Sequence, residues 1–558
     1  MYLILAALTQ ATTPQTYEVT ILDRAPEPAE LHITLSATGD EDGLTDLRLP
    51  GFWGGEDELW NNLHAITVSG EGVVMLPRSE DDPAALQLQH PPGAVFELSW
   101  QVIQDRDGDP LAEVGDYYRP WVRPSYVHVL GHTVLIQIAD GRDRPTTLEV
   151  TVPDGWALAS DATGDHTSMA RAATSVIAAG DFRVDTRQVN DAPLTIATRG
   201  GFDGEFAASA GVKALQSNYA YWGVPGEPYL ITGLPLGAAP GMSSFGGTNL
   251  GDAFALFGTE NTPQDIVQRI LVHEHAHTWV PTRLGGLVSG PEEPSGYWFS
   301  EGFTDWITTR GGLIAGVWDA DGAIAYWNEF LSDYMSSPQR EAPNQAITEG
   351  FWLDYDLDQL PYKRGKIFAG LVDYQIRTQT DGSHDLDDVL FAMRDGLIEG
   401  PAPLTFVDTV RQVTGVDIAE LHQRHILDGE LIVLPEDTFG ACGRVEFGER
   451  PPFEYGLELA QNPDGDGFLI AAVDPDGPAA GVFEPGMILL ERVAGSFGDS
   501  TVDSAFRIRD AAGERVLSYR PAGEGTELFQ QIIPASGDLN TNGCADLLAG
   551  RVLDRTAE

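Results

Sequence analysis

Three histidines and a glutamate crowd the run His273-Glu274-His275-Ala276-His277, inside the otherwise apolar stretch LVHEHAHTWV. A spacing of four puts His273 and His277 one turn apart on the same face of a helix. Their imidazoles can then converge on one zinc ion at about 2.0 to 2.1 Å from each nitrogen. Glu274, one step round, is placed to take a proton from a water activated there rather than to ligate. His275 points to the far side and reads as a packing residue. The pair alone is only moderately specific, because two histidines capped by neighbouring carboxylates would look the same. A third ligand decides the matter.

That ligand is Glu301, at the head of a second helix in YWFSEGFTDW. It completes a His, His, Glu set and leaves a fourth tetrahedral position open, as a catalytic site requires. Asp305, one turn further, shares its face and can hold the outer nitrogen of His273. Tyr362, in LPYKRGKIF, is a phenol that could donate to the oxyanion formed when an amide is attacked. His422 and His425, in ELHQRHIL, have no glutamate partner and read as surface. There is no Gly-x-Ser-x-Gly elbow and neither cysteine has catalytic surroundings, so a protein nucleophile is disfavoured.

The elements that must position these residues can be read around them. Thr262 as N-cap, Pro263 at the first helical position and Asp265 in the first turn predict the start of the motif helix. Residues 195–435 carry apolar residues three and four apart, as in AIAYWNEFLSDYM, and predict a mostly helical catalytic domain with one strand, NLGDAFALF, before the motif. Residues 16–194 alternate in short runs broken by Gly, Pro and Asp, which predicts a β-sandwich-like domain. Residues 443–540 return to short strands and predict a small separate β domain. The fold class expected is multidomain α+β.

The 558 residues are too many for one core. The net charge of −51, from 84 acidic and 33 basic residues, argues against nucleic acid and anionic membranes as partners. No run approaches the roughly 20 apolar residues that span a bilayer. Residues 1–15, MYLILAALTQATTPQ, read as a secretory signal segment without its usual basic start, which predicts a periplasmic or secreted protein and otherwise a cytoplasmic one. Cys442 and Cys544 either pair, in an oxidising compartment, or remain two thiols.

HEHAHTW, WFSEGFTDW and LPYKRG, in this order, resemble the glycyl aminopeptidase family of gluzincin zinc metallopeptidases. Members are similar in their catalytic core to the leucyl and alanyl aminopeptidases. The resemblance implies an N-terminal β domain, a thermolysin-like catalytic domain and a C-terminal PDZ domain. It implies one zinc ion per chain on His273, His277 and Glu301, with Glu274 as general base and Tyr362 as oxyanion donor. YGLEL and DPDGPAAGVFEPGMILLERV look like parts of a PDZ domain, including its proline-alanine helix start, although Met487 stands where an aspartate is common. A PDZ module would take a C-terminal peptide ligand.

One stretch departs from the family. Where a Gly-Gly-Leu-Glu-His strand engages the substrate amine, this chain has Gly246, Gly247, Thr248 and Asn249, so Asn249 replaces the carboxylate. The expectation is a zinc-dependent peptidase acting on peptides or unfolded polypeptide, aminopeptidase-like but with its need for a free amino end in doubt. The alternative is a non-catalytic peptide-binding protein that uses the PDZ module and the zinc-site groove.

Overall fold

The computed structural model describes residues 13–79, 81–112, 117–162, 164–237, 244–259, 261–288, 290–462, 467–495 and 498–550. Most of the expected signal segment therefore lies outside the described residues. Strand Gln15–Leu22 is already paired on both sides, with Glu30–Thr38 and Pro145–Thr151.

The N-terminal part is β structure. A six-stranded sheet runs in the order Gly164–Ser168, Pro145–Thr151, Gln15–Leu22, Glu30–Thr38, Val95–Val102, Leu63–Ser69. Residues of Glu30–Thr38 alternate between buried and half-buried, so one face of the sheet is dry. That face shares a core with a four-stranded sheet through Leu31, Ile33, Leu47, Leu86, Leu88 and Leu98, which makes the unit sandwich-like.

The site is carried by a second sheet of five strands, in the order Arg183–Val189, Ala192–Thr198, Tyr229–Pro235, Ala253–Gly258, Phe245–Asn249. It begins at residue 183 rather than 195, because the first two strands form a hairpin that pairs into it. Its central strands are buried on both faces. Ile231, Phe254 and Leu256 face the helices, while Leu230, Ala253, Ala255 and Phe257 pack on Trp121, Tyr126 and Phe182 of the N-terminal part. Double burial removes the alternation that marks a half-exposed strand. It also corrects the reading of NLGDAFALF as one strand: Asn249 ends the edge strand, the chain turns at Gly251, and Ala253–Gly258 returns as an interior strand. The edge strand on this side is therefore Phe245–Asn249, and the Tyr118 hydroxyl donates to its Gly247 carbonyl at 2.6 Å.

Helix Gly204–Trp222 covers this sheet and carries the motif helix Gln264–Ala276, on which the carboxylate helix Tyr297–Ile314 packs, and the tyrosine helix Tyr355–Gln379 packs on that one in turn. The last two come into backbone contact. A Cβ placed on Gly302 would lie 2.3 Å from the Gly365 Cα, and one on Gly365 would lie 2.0 Å from the Trp298 carbonyl oxygen. No described helix is long and apolar enough to cross a membrane.

The C-terminal strands are arranged differently from the expected 443–540 unit. Gly443–Arg450 pairs along its whole length with Glu527–Pro534 as a two-stranded ribbon, and this ribbon belongs to the catalytic core through Val445 and Ile532. Between its arms lies a five-stranded meander of residues 457–519, with a separate core of Ile470, Phe483, Phe506, Ile508 and Tyr519. The segment after Gly477, expected to start a helix, forms successive turns instead. Cys442 and Cys544 are joined as a disulfide, both buried.

Candidate active site

The motif helix starts one residue later than its sequence suggests. Pro263 is the N-cap and Gln264 the first helical residue. A proline has no side-chain oxygen to cap with. The Thr262 hydroxyl instead donates to the carbonyls of Thr259 and Ser244, tying the helix start to the loop beside the edge strand. At the other end the helix closes at Ala276, and His277 follows with φ −61° and ψ −17°. The right-handed turn thus continues through the second histidine, and the two rings still share one face.

Their Nε2 atoms lie 3.2 Å apart. Glu301 Oε2 is 3.2 Å from His277 Nε2 and 3.5 Å from His273 Nε2. Three atoms bound tetrahedrally at about 2.05 Å from one ion would be about 3.3 Å from each other, so the donor set and its spacing fit zinc. Among the described residues this is the one cluster of three or more ligating side chains that closes around a point.

Both outer nitrogens are engaged. His273 Nδ1 is 3.0 Å from Asp305 Oδ1, and His277 Nδ1 is 2.8 Å from the Val280 carbonyl oxygen. Each acceptor draws the ring proton to Nδ1 and turns the Nε2 lone pair inward. The remaining oxygen of Glu301 accepts from the Ser300 hydroxyl at 2.9 Å. Burial disfavours the Glu301 anion, yet His277 and His273 outweigh it and hold the carboxyl well below the usual carboxylate range.

Glu274 is half-buried on the same cleft. Burial raises its carboxyl above the ordinary value, against the pull of His277 and His273. Tyr362 lines the cleft from the tyrosine helix, its ring stacked near His273 with centroids 6.1 Å apart. Burial, reinforced by Glu301, Asp358 and Glu274, raises its hydroxyl well above the usual tyrosine value and keeps the O–H donor protonated. His275 is buried between Tyr219, Tyr229 and Trp279. Burial lowers it to about 3, so it stays neutral.

The cleft holds about 800 Å³. Gly247, Thr248 and Asn249 of the edge strand form part of its wall, while Gly246 faces Tyr117. Gly247 allows the backbone to approach Phe254, whose ring would be 2.3 Å from an added Cβ. The Asn249 amide is fully engaged: it donates to the Glu274 carbonyl at 2.6 Å and to the Tyr229 hydroxyl at 2.8 Å, and its oxygen accepts from Gly251 N–H at 2.8 Å. It braces the motif helix against the sheet.

Several residues of the site were not singled out from the sequence. Trp53 and Arg171 reach the cleft from the N-terminal part, and Tyr326 donates to Asp305 at 2.8 Å. No local spacing announces them, since each arrives by tertiary packing. The second histidine pair is also not surface. His425 is buried with Nδ1 against the Glu430 carbonyl, and His422 packs on Trp298. Burial lowers His422 to about 4.

No protein-family model and no curated protein matches this sequence. Two solved structures are similar in fold. One is an aminopeptidase N family protein from Idiomarina loihiensis, 15% identical, covering 96% of this chain and 100% of that one with a TM-score of 0.64. The other is an M1 zinc metallopeptidase from Deinococcus radiodurans, 15% identical, covering 76% of this chain and 96% of that one with a TM-score of 0.50. The multidomain α+β architecture of this chain is thus one seen in M1 peptidases.

Proposed function

We propose that this chain is a zinc metallopeptidase of the gluzincin type that hydrolyses peptide bonds, aminopeptidase-like in its core. The observation that carries this reading is the convergence of His273, His277 and Glu301 at zinc-ligand spacing, with Glu274 and Tyr362 on the same cleft. The likeness to proteins named as an aminopeptidase N family member and an M1 zinc metallopeptidase supports it.

A zinc ion on those three residues would supply Lewis acidity and make a nearby water easier to deprotonate. Glu274 takes the proton of the attacking water and returns it to the departing amine. Tyr362, kept protonated by its surroundings, donates to the oxygen that gains charge as the amide carbon becomes tetrahedral. The edge strand Phe245–Asn249 holds an extended peptide through its backbone, with Gly247 and Thr248 on the cleft wall and Asn249 as a brace. Asn249 brings no charge to a protonated amino end, so this reading assigns no requirement for a free one, while Asp252 and Glu293 line the same cleft.

The glycyl aminopeptidase affiliation belongs to this proposal, as does a PDZ-like role for the meander, whose strand Leu457–Gln461 has one unpaired edge in its sheet. Export to the periplasm or outside belongs to it too, and the Cys442–Cys544 disulfide supports that.

The test is a peptide-library digest, with free and blocked amino ends, read by mass spectrometry. The wild type carries about one zinc per chain and cuts, and a chelator stops it. Glu274→Gln retains zinc while turnover falls at least ~10²–10⁴-fold. Hydrolysis unchanged in that variant overturns the mechanism. A zinc-loaded wild type that binds peptides without cutting them gives the non-catalytic alternative instead.

A further inference from the structure

Asp305 Oδ1 has two partners. Besides His273 Nδ1 at 3.0 Å, it accepts the Tyr326 hydroxyl at 2.8 Å. Tyr326 comes from the neighbouring helix Ala320–Ser336 and is 7% exposed. Lys366 lies over its ring, Nζ 3.6 Å from the centroid, and over Phe330 at 3.8 Å. The Arg269 guanidinium lies 4.9 Å from the same Tyr326 centroid. Lys366 is wholly buried, and among the described residues its Nζ has no hydrogen-bond partner.

That lysine is costly for the fold. Aromatic faces attract an ammonium ion, but by roughly 0.5 to 2 kcal/mol, and burying an ion without an acceptor costs several kcal/mol. A methionine would fill the same space without that penalty. Where a local choice works against stability, function is the usual reason. A cation on the face of a phenol draws electron density from the ring and makes its O–H a stronger donor. A stronger donor at Asp305 holds that carboxylate in place and ionised. The carboxylate in turn fixes His273 with its proton on Nδ1 and its Nε2 lone pair toward His277 and Glu301.

We propose that Tyr326 and Lys366 are positioning residues of the zinc site: Lys366 polarises the Tyr326 hydroxyl, which holds Asp305 and so sets His273 for the metal. The inference rests on the zinc-peptidase reading and names part of its machinery. Neither residue touches substrate.

The experiment measures zinc affinity by competition with a chromogenic chelator, and melting of the metal-free protein, for wild type, Tyr326→Phe and Lys366→Met. Tyr326→Phe keeps the ring and removes only the hydroxyl; it weakens zinc binding ~10–100-fold, with the metal-free melting point within a few degrees of wild type. Lys366→Met gives opposite signs: the metal-free protein melts higher, while zinc binds several-fold more weakly. A merely structural lysine would show the reverse, lower melting with unchanged zinc affinity, and that result overturns its role. Zinc affinity within twofold of wild type in Tyr326→Phe overturns the whole relay while leaving the peptidase reading intact. A wild type that takes up no zinc overturns both.

Discussion

Tyr362 is where the residue scale makes its sharpest demand, because an oxyanion donor must keep its proton at the pH where Glu274 is ionised. Burial and four nearby carboxylates ensure this by raising the phenol and leave it a neutral donor on the cleft wall. Tyr362→Phe therefore retains zinc and fold, leaves KM nearly unchanged, and lowers kcat ~10²–10³-fold; a kcat within tenfold of wild type removes Tyr362 from the mechanism. That His273 and His277 share one face, and Glu301 and Asp305 another, could be read from the chain because helix periodicity decides it; that the two faces meet depends on packing. Tyr326 and Lys366 could not be read from it, for their relation to Asp305 depends on how three helices pack. The same limit explains Asn249 and the buried His425. The resemblance set Asn249 at the substrate amine and a missing glutamate partner set His425 at the surface; in the fold Asn249 is held by Glu274 and His425 is buried against the Glu430 carbonyl.

At the scale of elements, the question is how a carboxylate from one helix and a phenol from another come to face the same histidines. Gly302 follows Glu301 directly, and Gly365 lies three residues after Tyr362. Where these two glycines meet, the helices touch backbone to backbone, which brings Glu301 and Tyr362 onto one cleft. A helical Gly→Ala change normally gains roughly 0.5–1 kcal/mol. Here the added methyl would sit 2.3 Å from the opposing Cα, and overpacking of this kind costs about 1–3 kcal/mol. The clash wins. Gly302→Ala should therefore lower the melting temperature and also kcat, since the helices must separate; a variant with wild-type melting and wild-type kcat would show that the contact is not needed. The sequence marks these glycines only as helix-weakening residues. It likewise obscures the central strands, where burial on both faces erases alternation, so that a hairpin reads as a single apolar run.

The whole molecule closes on itself in a way that short-range patterns do not record. The last predicted domain begins and ends in strands that pair with each other and lie on the catalytic core, so the meander between them is an insertion on a ribbon. The pairing of residues 443–450 with 527–534 leaves no local trace, whereas the short strands inside the meander do. Cys442 and Cys544, 102 residues apart, fasten the base of this ribbon with Cα atoms 4.5 Å apart. The helix Cys544–Ala549 adds Cys544 and Leu548 to the same core as Trp306 and Phe439. Closing a loop of that length restricts the unfolded chain, and removing such a bond typically costs about 2–5 kcal/mol. Replacing both cysteines by alanine should lower the denaturation midpoint accordingly. The effect should also be local, because the helix Cys544–Ala549 meets the carboxylate helix around Trp306 and Arg310, more than one turn beyond Glu301. Under limited proteolysis the double variant is expected to be cut first near residues 435–450 or 527–550, while zinc content stays at the wild-type level. Equal stability, or zinc lost before the ribbon is cut, would mean that the disulfide does not fasten the ribbon to the core.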